Sequence, residues 1–430
     1  MSNHSDVRYA GLVGSRNASV NTVTGARNES SSPIRRRPKD RKAQIARAST
    51  DAFSAQGYHA VSMEDIASRV GISPAALYRH SPSKYNLFRD AVLTLGQRLV
   101  DATAFADDAT GTDPAELLTR LIGALVDTTI ANRTAGGLYR WEGRYLRGAD
   151  QTALKEQLKL TNSRLQRPLA ALRPRLQPPQ LWTLSAAALS VIGSITDHSL
   201  PMAVNEIRSG VAEMAADVLA AEVSLNKGRA SAPAARPVVT AAAGVYEFVL
   251  AESMRLFYER GFRDTSMDDI AAAVGMQPSG LYRYFPGKVD ILAAAYRRAA
   301  DRCSADVAKV VARTADPERA LAALVEVYVA RSFARPEIAY VYYTERHNLP
   351  ADELSMLDTI QQSTAEAWAR LVTAVRPELS AARARYAVHG AYALIVDSGR
   401  LVRRHDTAQA RSTARRLTEI TLLGRPAKRR

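Results

Sequence analysis

Between Arg41 and Gln56, Ile45, Ala48, Ala52 and Phe53 recur on one face at helical spacing, and Gly57 is suited to terminate the helix they predict. Ser62 followed by Asp65 predicts a second helix start, because hydroxyl and carboxylate each satisfy a free amide of the first turn. Ile66, Ala67 and Val70 give this helix a short apolar face, and Gly71 supplies the backbone freedom of a tight turn. Ser73-Pro74 then places an N-cap residue before a proline at the first helical position, predicting a short third helix from Pro74 to His80. Leu77 anchors it, leaving Ser73, Ala75, Ala76 and Arg79 near the outer face or leading end. Lys84 falls at or near the start of a fourth helix. From about Leu117 to Leu225, and again from Leu321 to Leu423, Ala- and Leu-rich stretches at helical spacing predict helix-on-helix packing. The fold class is all-α.

The pattern occurs twice. A shift of 204 positions lays Gly57–Lys84 over Gly261–Lys288, and half of the 28 positions are identical. Ser62, Gly71, Pro74, Leu77, Tyr78, Arg79 and Lys84 fall on Ser266, Gly275, Pro278, Leu281, Tyr282, Arg283 and Lys288. At a shift of 203, Glu142, Leu146 and Arg173-Pro174 fall on Glu345, Leu349 and Arg376-Pro377, so the repeat extends into the downstream region. This divides the chain into a disordered basic arm (1–38), a first head (39–100), a first downstream helical domain (101–225) and a linker (226–241). A second head (242–303), a second downstream helical domain (304–424) and a basic tail (425–430) follow. A linker of about 15 residues spans up to roughly 50 Å when extended, enough to join one module to the next.

Composition narrows the function. A formal charge of +15 attracts a polyanion before any specific contact forms. No apolar run approaches the roughly 18 residues of a membrane helix, the first 30 residues lack a signal pattern, and one cysteine excludes an intrachain disulfide. The expected location is the cytoplasm, with no membrane partner. Enzymatic motifs are missing: there is no Gly-x-Ser-x-Gly or His-Glu-x-x-His, and Gly280–Lys288 has the wrong glycine spacing for a phosphate loop. Glu345-Arg346-His347 reads as a polar helix surface rather than acid-base or metal chemistry. Neither a catalytic role nor a cofactor or metal is expected.

The linked pattern Ser-x-x-Asp-Ile-Ala, Val-Gly, then Leu-Tyr-Arg-(His/Tyr)-x-Pro-x-Lys, present twice, resembles the tetracycline-repressor (TetR) family of bacterial regulators. The resemblance implies two modules, each a three-helix DNA-binding domain followed by a helical domain for ligand binding and dimerisation. By motif position it implies DNA-backbone contacts for Tyr78, Lys84, Tyr282 and Lys288, with Ser62 and Ser266 near phosphates. Ser73, Ala75 and Arg79 become base-facing candidates in the first head, and Gln277, Ser279 and Arg283 in the second; His80 and Tyr284 join the DNA-binding set. For Tyr78 and Tyr282 the competing reading is burial for packing, and for Arg79 and Arg283 a solvated surface. The first head departs from the pattern at Ser81, where the second keeps an aromatic, Phe285.

The resemblance also implies a ligand cavity among the downstream helices. Tyr139, Trp141, Arg144 and Tyr145 are its candidate lining in the first module, and Tyr340, Tyr342, Tyr343 and Arg346 in the second. Aromatic walls with an arginine suit a small apolar or acyl-type effector. The expected partner is double-stranded operator DNA, bound by an intramolecular pseudo-dimer or by a dimer of whole chains. Ser73 and Ala75 are replaced by Gln277 and Ser279, which predicts unlike half-sites. The functional expectation is a ligand-responsive repressor; the alternative is a constitutive architectural DNA-binding scaffold that senses nothing.

Overall fold

Each local signal read from the sequence folds as a helix start or stop. In the computed structural model, which describes residues 40–223, 244–401 and 408–425, α1 (Arg41–Ala60) is broken at Gly57, where φ is +77°. Ser62 caps α2 (Met63–Val70) by accepting the Asp65 N–H, and the Asp65 carboxylate accepts the Ser62 N–H in return. Gly71 closes α2 in the left-handed region (φ +69°), which an L side chain enters only at a cost. The third helix, α3 (Pro74–Tyr78), is two residues shorter than its sequence predicts. The His80 and Ser81 N–H groups both fold back onto the Leu77 carbonyl, so Arg79 and His80 form a turn. α4 (Lys84–Ala102) begins at the lysine.

The first module continues through α5 (Pro114–Ala131), α6 (Gly137–Trp141), α7 (Gly148–Leu172), α8 (Pro178–Gly193) and α9 (Val204–Leu219). The second repeats the order: α10 (Val245–Arg260), α11 (Met267–Ala273), α12 (Pro278–Tyr282), α13 (Lys288–Arg313), α14 (Pro317–Ala334), α15 (Pro336–Glu345), α16 (Ala351–Val375), α17 (Ala381–Leu401) and α18 (Ala408–Leu423). Every element of the described residues is helical. The faint part of the repeat has a structural meaning: Arg173 and Arg376 end α7 and α16 in the same way, each donating its N–H four residues back. The 303/304 boundary expected from the sequence falls inside α13, which runs ten residues further as a single helix. The arm, the linker and all of the tail beyond Arg425 lie outside the described residues.

Each head has its own core. Phe53 meets Phe88 edge-on (5.4 Å between centroids) around Ile45, Ile66 and Leu77 in the first, and Phe257, Ile270 and Leu281 do the same work in the second. Ser81 is buried without an aromatic ring, whereas Phe285 packs its ring against Tyr246 (5.0 Å). Downstream of the heads, the second module has an apolar cluster of its own around Leu324, Trp368 and Val388, but the first module's cluster also takes in residues of the second. α17 packs on α8 and α9, and α18 on α9, so Leu394, Leu417 and Ile420 belong to the same apolar cluster as Val191, Val211 and Val218 of the first module. Each fully buried side chain of this size contributes roughly 1.5–3 kcal/mol relative to exposure. The described residues from Lys42 onward accordingly form one compact unit.

Candidate nucleic-acid interface and the seam between modules

The two recognition helices show the same division between anchor and surface. Leu77 and Leu281 are fully buried, and their neighbours Tyr78 and Tyr282 are 50% and 52% exposed. That exposure rules out burial for packing as the reason for these tyrosines. Arg79, His80, Arg283 and Tyr284 are exposed beside them, as are Ala75 and Ser279. Each head thus carries a short helix whose outer side presents a phenol, a guanidinium and a further ring, a set able to bond phosphates and base edges.

Ser73 and Gln277 hold the same position and behave differently. The Ser73 hydroxyl accepts the Ala76 N–H and so caps α3, while Gln277 makes no side-chain cap to α12. Ser62 and Ser266 are occupied too: each accepts the N–H of Asp65 or Asp269 and donates its hydroxyl to the same carboxylate. Hydrogen bonding from the serine holds both aspartates below the usual carboxylate range.

The motif lysines point back into the protein. Lys84 Nζ donates to the carbonyls of Tyr58 (3.0 Å) and His59 (3.3 Å) and lies over the Tyr58 ring. Lys288 Nζ donates to Phe262 (2.8 Å), Arg263 (3.1 Å) and Thr265 (3.0 Å) and lies over Phe262. Burial lowers both lysine pKa values from the ordinary value, with Arg263 adding to the effect. These ammoniums therefore clip the turn after the first helix to the start of the fourth, a role the spacing alone did not reveal. The free phosphate-binding cation implied by the resemblance has its charge committed to backbone carbonyls here.

The other side of the same turn is held by a carboxylate from the regulatory domain. The Tyr58 N–H donates to Glu142 Oε2 (2.7 Å), and the Phe262 N–H to Glu345 Oε1 (3.4 Å). Glu142 and Glu345 are 4% and 1% exposed, which corrects the reading of Glu345-Arg346-His347 as a polar helix surface. Burial drives the Glu142 pKa up to about 8, against the lowering pull of the Tyr58 N–H, and also raises that of Glu345. The available signal was the repeat: the two glutamates align in a region where little else does.

Four of the candidate ligand residues build a seam instead. α6 and α15 lie against each other, and Trp141 stacks on Tyr343 (4.2 Å, 10°). Arg144 donates to the Tyr258 carbonyl (2.8 Å) and sits over the Tyr340 ring, and the Tyr145 hydroxyl donates to Glu345 (2.7 Å). Trp141, Arg144, Tyr145 and Tyr340 line neither cavity described below, because the pairing of the modules sets α6 and the 3-10 turn after it, Glu142–Tyr145, against α15. Arg140 reinforces the seam, bonding Asp197 (3.1 Å) of its own module and Asp397 (3.3 Å) of the other.

Cavities of several hundred cubic ångströms lie elsewhere among the described helices. One of about 590 Å³ in the first module is lined by Tyr139, Leu158, Asn162, Trp182 and Arg400 among others. The other, about 540 Å³ in the second, takes in Tyr342, Tyr343 and Arg346 from the candidates, together with Tyr296, Tyr328, Tyr392, Cys303 and Arg331. The hydroxyls of Tyr296 and Tyr392 are buried there with no protein partner. Tyr296 and Cys303 come from α13, Tyr328 and Arg331 from α14 and Tyr392 from α17, with no shared motif, so the sequence pattern did not mark them. Among the described residues there is no group of His, Cys, Asp and Glu able to hold a metal, and no helix long and apolar enough to cross a membrane.

Similarity to a known family falls on the two heads. The family model described as "Bacterial regulatory proteins, tetR family" matches residues 45–91 and again 249–295. A curated relative, the HTH-type transcriptional activator FasR of Mycolicibacterium smegmatis, is 42% identical over 67 residues, which is 15% of this chain and 29% of that protein. The matched segment thus spans less than a third of the relative. Among solved structures, the ketosteroid transcriptional regulator KstR2 of Mycobacterium tuberculosis is 20% identical, covering 41% of this chain and 92% of its own, with a TM-score of 0.37. A TetR-like transcriptional regulator from Rhodococcus sp. RHA1 is 22% identical, covering 44% of this chain and 100% of its own, with a TM-score of 0.36.

Proposed function

Since the chain is a tandem member of the tetR family of bacterial regulatory proteins, we propose that it is a sequence-specific DNA-binding transcriptional regulator whose two unlike heads act together within one chain. The observation that carries this reading is the pair of exposed recognition surfaces, Tyr78-Arg79-His80 and Tyr282-Arg283-Tyr284, on heads whose downstream domains are joined through an apolar cluster that Leu394, Leu417 and Ile420 of the second module complete. The packing of α8 and α9 on α17 and α18 favours an intramolecular pseudo-dimer over a dimer of whole chains, because the face that would pair two chains is already filled from within. Arg79 and Arg283 are assigned to bases, Tyr78 and Tyr282 to the DNA backbone. Gln277 and Ser279 read where Ser73 and Ala75 offer little hydrogen-bonding chemistry, so the two half-sites differ.

The second-module cavity is the assigned effector site. Its tyrosines and arginines suit a small, largely apolar molecule with an oxygen-bearing end, such as an acyl compound. Binding there shifts the population of head arrangements and thereby the affinity for DNA. A scaffold that senses nothing has no use for such a cavity. The reading places the protein with DNA in the cytoplasm and gives it no catalytic step.

Binding-site selection from random duplexes, with light scattering of the complexes, tests this. One chain per asymmetric site is the expected result; perfect palindromes bound by two chains would overturn the pseudo-dimer. For the effector, a panel of acyl compounds is screened for a raised Tm together with weakened DNA binding.

A further inference from the structure

The second-module cavity is lined by a helix, α15, whose last residue carries a carboxylate that reaches both heads. Tyr342 and Tyr343 line it from α15, and Glu345 ends the same helix. One oxygen of that carboxylate, Oε1, accepts the Phe262 N–H at the exit of α10, in the second head, and also the Tyr145 hydroxyl from the first module. The Tyr145 ring stacks on Tyr58 (5.8 Å, 28°) and meets His59 edge-on (4.6 Å), both in the turn that leaves α1 of the first head. The residues after Glu345 close on that turn as well: a Cβ on Gly57 would stand 3.3 Å from His347 and 3.3 Å from Glu142.

The two modules are not equivalent here. Asn348 occupies the position of Tyr145 in the repeat and bonds Glu345 of its own module (3.1 Å), so both of these side chains converge on one carboxylate. Glu142, the counterpart of Glu345, accepts only the Tyr58 N–H among the hydrogen bonds described.

We propose that Glu345 and Tyr145 are positioning residues that connect the second-module cavity to both reading heads, so that one occupied cavity resets the two heads together. Displacing α15 moves Glu345, which carries the Phe262 turn directly and the Tyr58 turn through Tyr145. The side chains are buried and hydrogen-bonded, so the arrangement changes between discrete packings rather than by yielding gradually. This coupling rests on the proposed function for its biological meaning.

Cys303, the single cysteine of the chain, lines the same cavity and supplies a probe site. Full-length protein is labelled there with N-benzylmaleimide, the extent of labelling is read by mass, and a Cys303→Trp variant fills the cavity without a reagent. Burial raises the thiol pKa, so the reaction is run at alkaline pH. Amide hydrogen exchange is then followed in the two turns, 57–62 and 261–266, without DNA. Filling the cavity is expected to change exchange about tenfold in both turns. In Tyr145→Phe, which keeps the ring and removes the hydroxyl, the second turn still responds and the first loses most of its response. In Glu345→Gln both responses shrink, an independent check if Tyr145→Phe folds poorly. A first turn that responds equally with and without the Tyr145 hydroxyl, or not at all in the parent, overturns the proposal. Because exchange is read without DNA, a chain that fails to bind any DNA would refute the regulatory reading and leave this result standing.

Discussion

The first recognition helix is capped by Ser73 and offers small residues, Ala75 and Ala76, to its surroundings; the second has no side-chain cap, contains Gly280, and presents Gln277 and Ser279. The first head spends its leading side chain on holding the helix, whereas the second leaves that side chain available to read a base. Around both, the supporting frame is the same: a left-handed glycine after the second helix, a serine–aspartate capping box, a lysine clip and a buried glutamate on the turn. Duplication has kept what positions the reading surface and varied what the surface says. The comparison also separates two meanings of a repeated residue. Tyr78 and Tyr282 recur on the surface, whereas Lys84 and Lys288 recur with the same inward bonds to the turn.

The largest difference expected between the modules is in pH dependence. Glu142 has its pKa raised from about 4.5 to about 8 by burial, so the folded protein keeps a proton that the unfolded chain releases. The stability this contributes is fully present below about pH 4.5 and is lost as pH rises through about 8, a change on the order of a few kcal/mol. The loss sets in above about pH 4.5 and is complete above about pH 8, so thermal melts from about pH 7 to pH 9 read its last part, about 1 kcal/mol, free of His59 and His347, which burial holds down to about 4 and which are neutral in that window. Glu142→Gln should flatten the decline, and Glu345→Gln should change it less, since Tyr145, Phe262 and Asn348 all donate to that carboxylate. Equal slopes for parent and Glu142→Gln would remove the buried proton from the account.

Next in size is the effect on DNA. Arg79→Ala and Arg283→Ala should each lower affinity for a selected site by about 10–100-fold, the value of one good base contact. A loss in one variant only would make the other head a scaffold and end the symmetry of the comparison. The lysine clips follow. Lys288→Met, which loses bonds to three carbonyls, should destabilise the chain by about 1–3 kcal/mol in urea titrations, and Lys84→Met, with two, somewhat less. Unchanged stability with weakened DNA binding would return both lysines to the phosphate role the resemblance implies. The smallest effect distinguishes the caps. Ser73→Ala should cost about 1 kcal/mol and leave base preference alone, while Gln277→Ala should leave stability alone and relax preference in one half-site.

The heads were legible in the sequence because their determinants are local. A cap, a left-handed glycine, a proline at the first helical position and one leucine anchor act within a few residues of each other, and they appear in order as Ser62, Gly71, Pro74 and Leu77. Repetition made the reading firmer, since 14 identities at a fixed shift leave little room for another register. The candidate effector residues were only half placed. Tyr139, Tyr342, Tyr343 and Arg346 reach cavities, but Trp141, Arg144, Tyr145 and Tyr340 join the two modules. Helical spacing marks which residues leave a helix on the same side; it does not tell whether that side meets a cavity or a second module.

By itself, then, the sequence determined two all-α modules, the order of their helices and the residues exposed on each recognition helix, because short-range capping and apolar periodicity carry that information. Tertiary structure alone decided that Lys84 and Lys288 turn inward, that Glu142 and Glu345 are buried on the turns, and that Trp141 and Tyr343, from different modules, stack into a seam. The physical reason is that burial and partner choice depend on which surfaces of distant helices meet, and that pairing is set by the summed packing of many side chains rather than by any one of them.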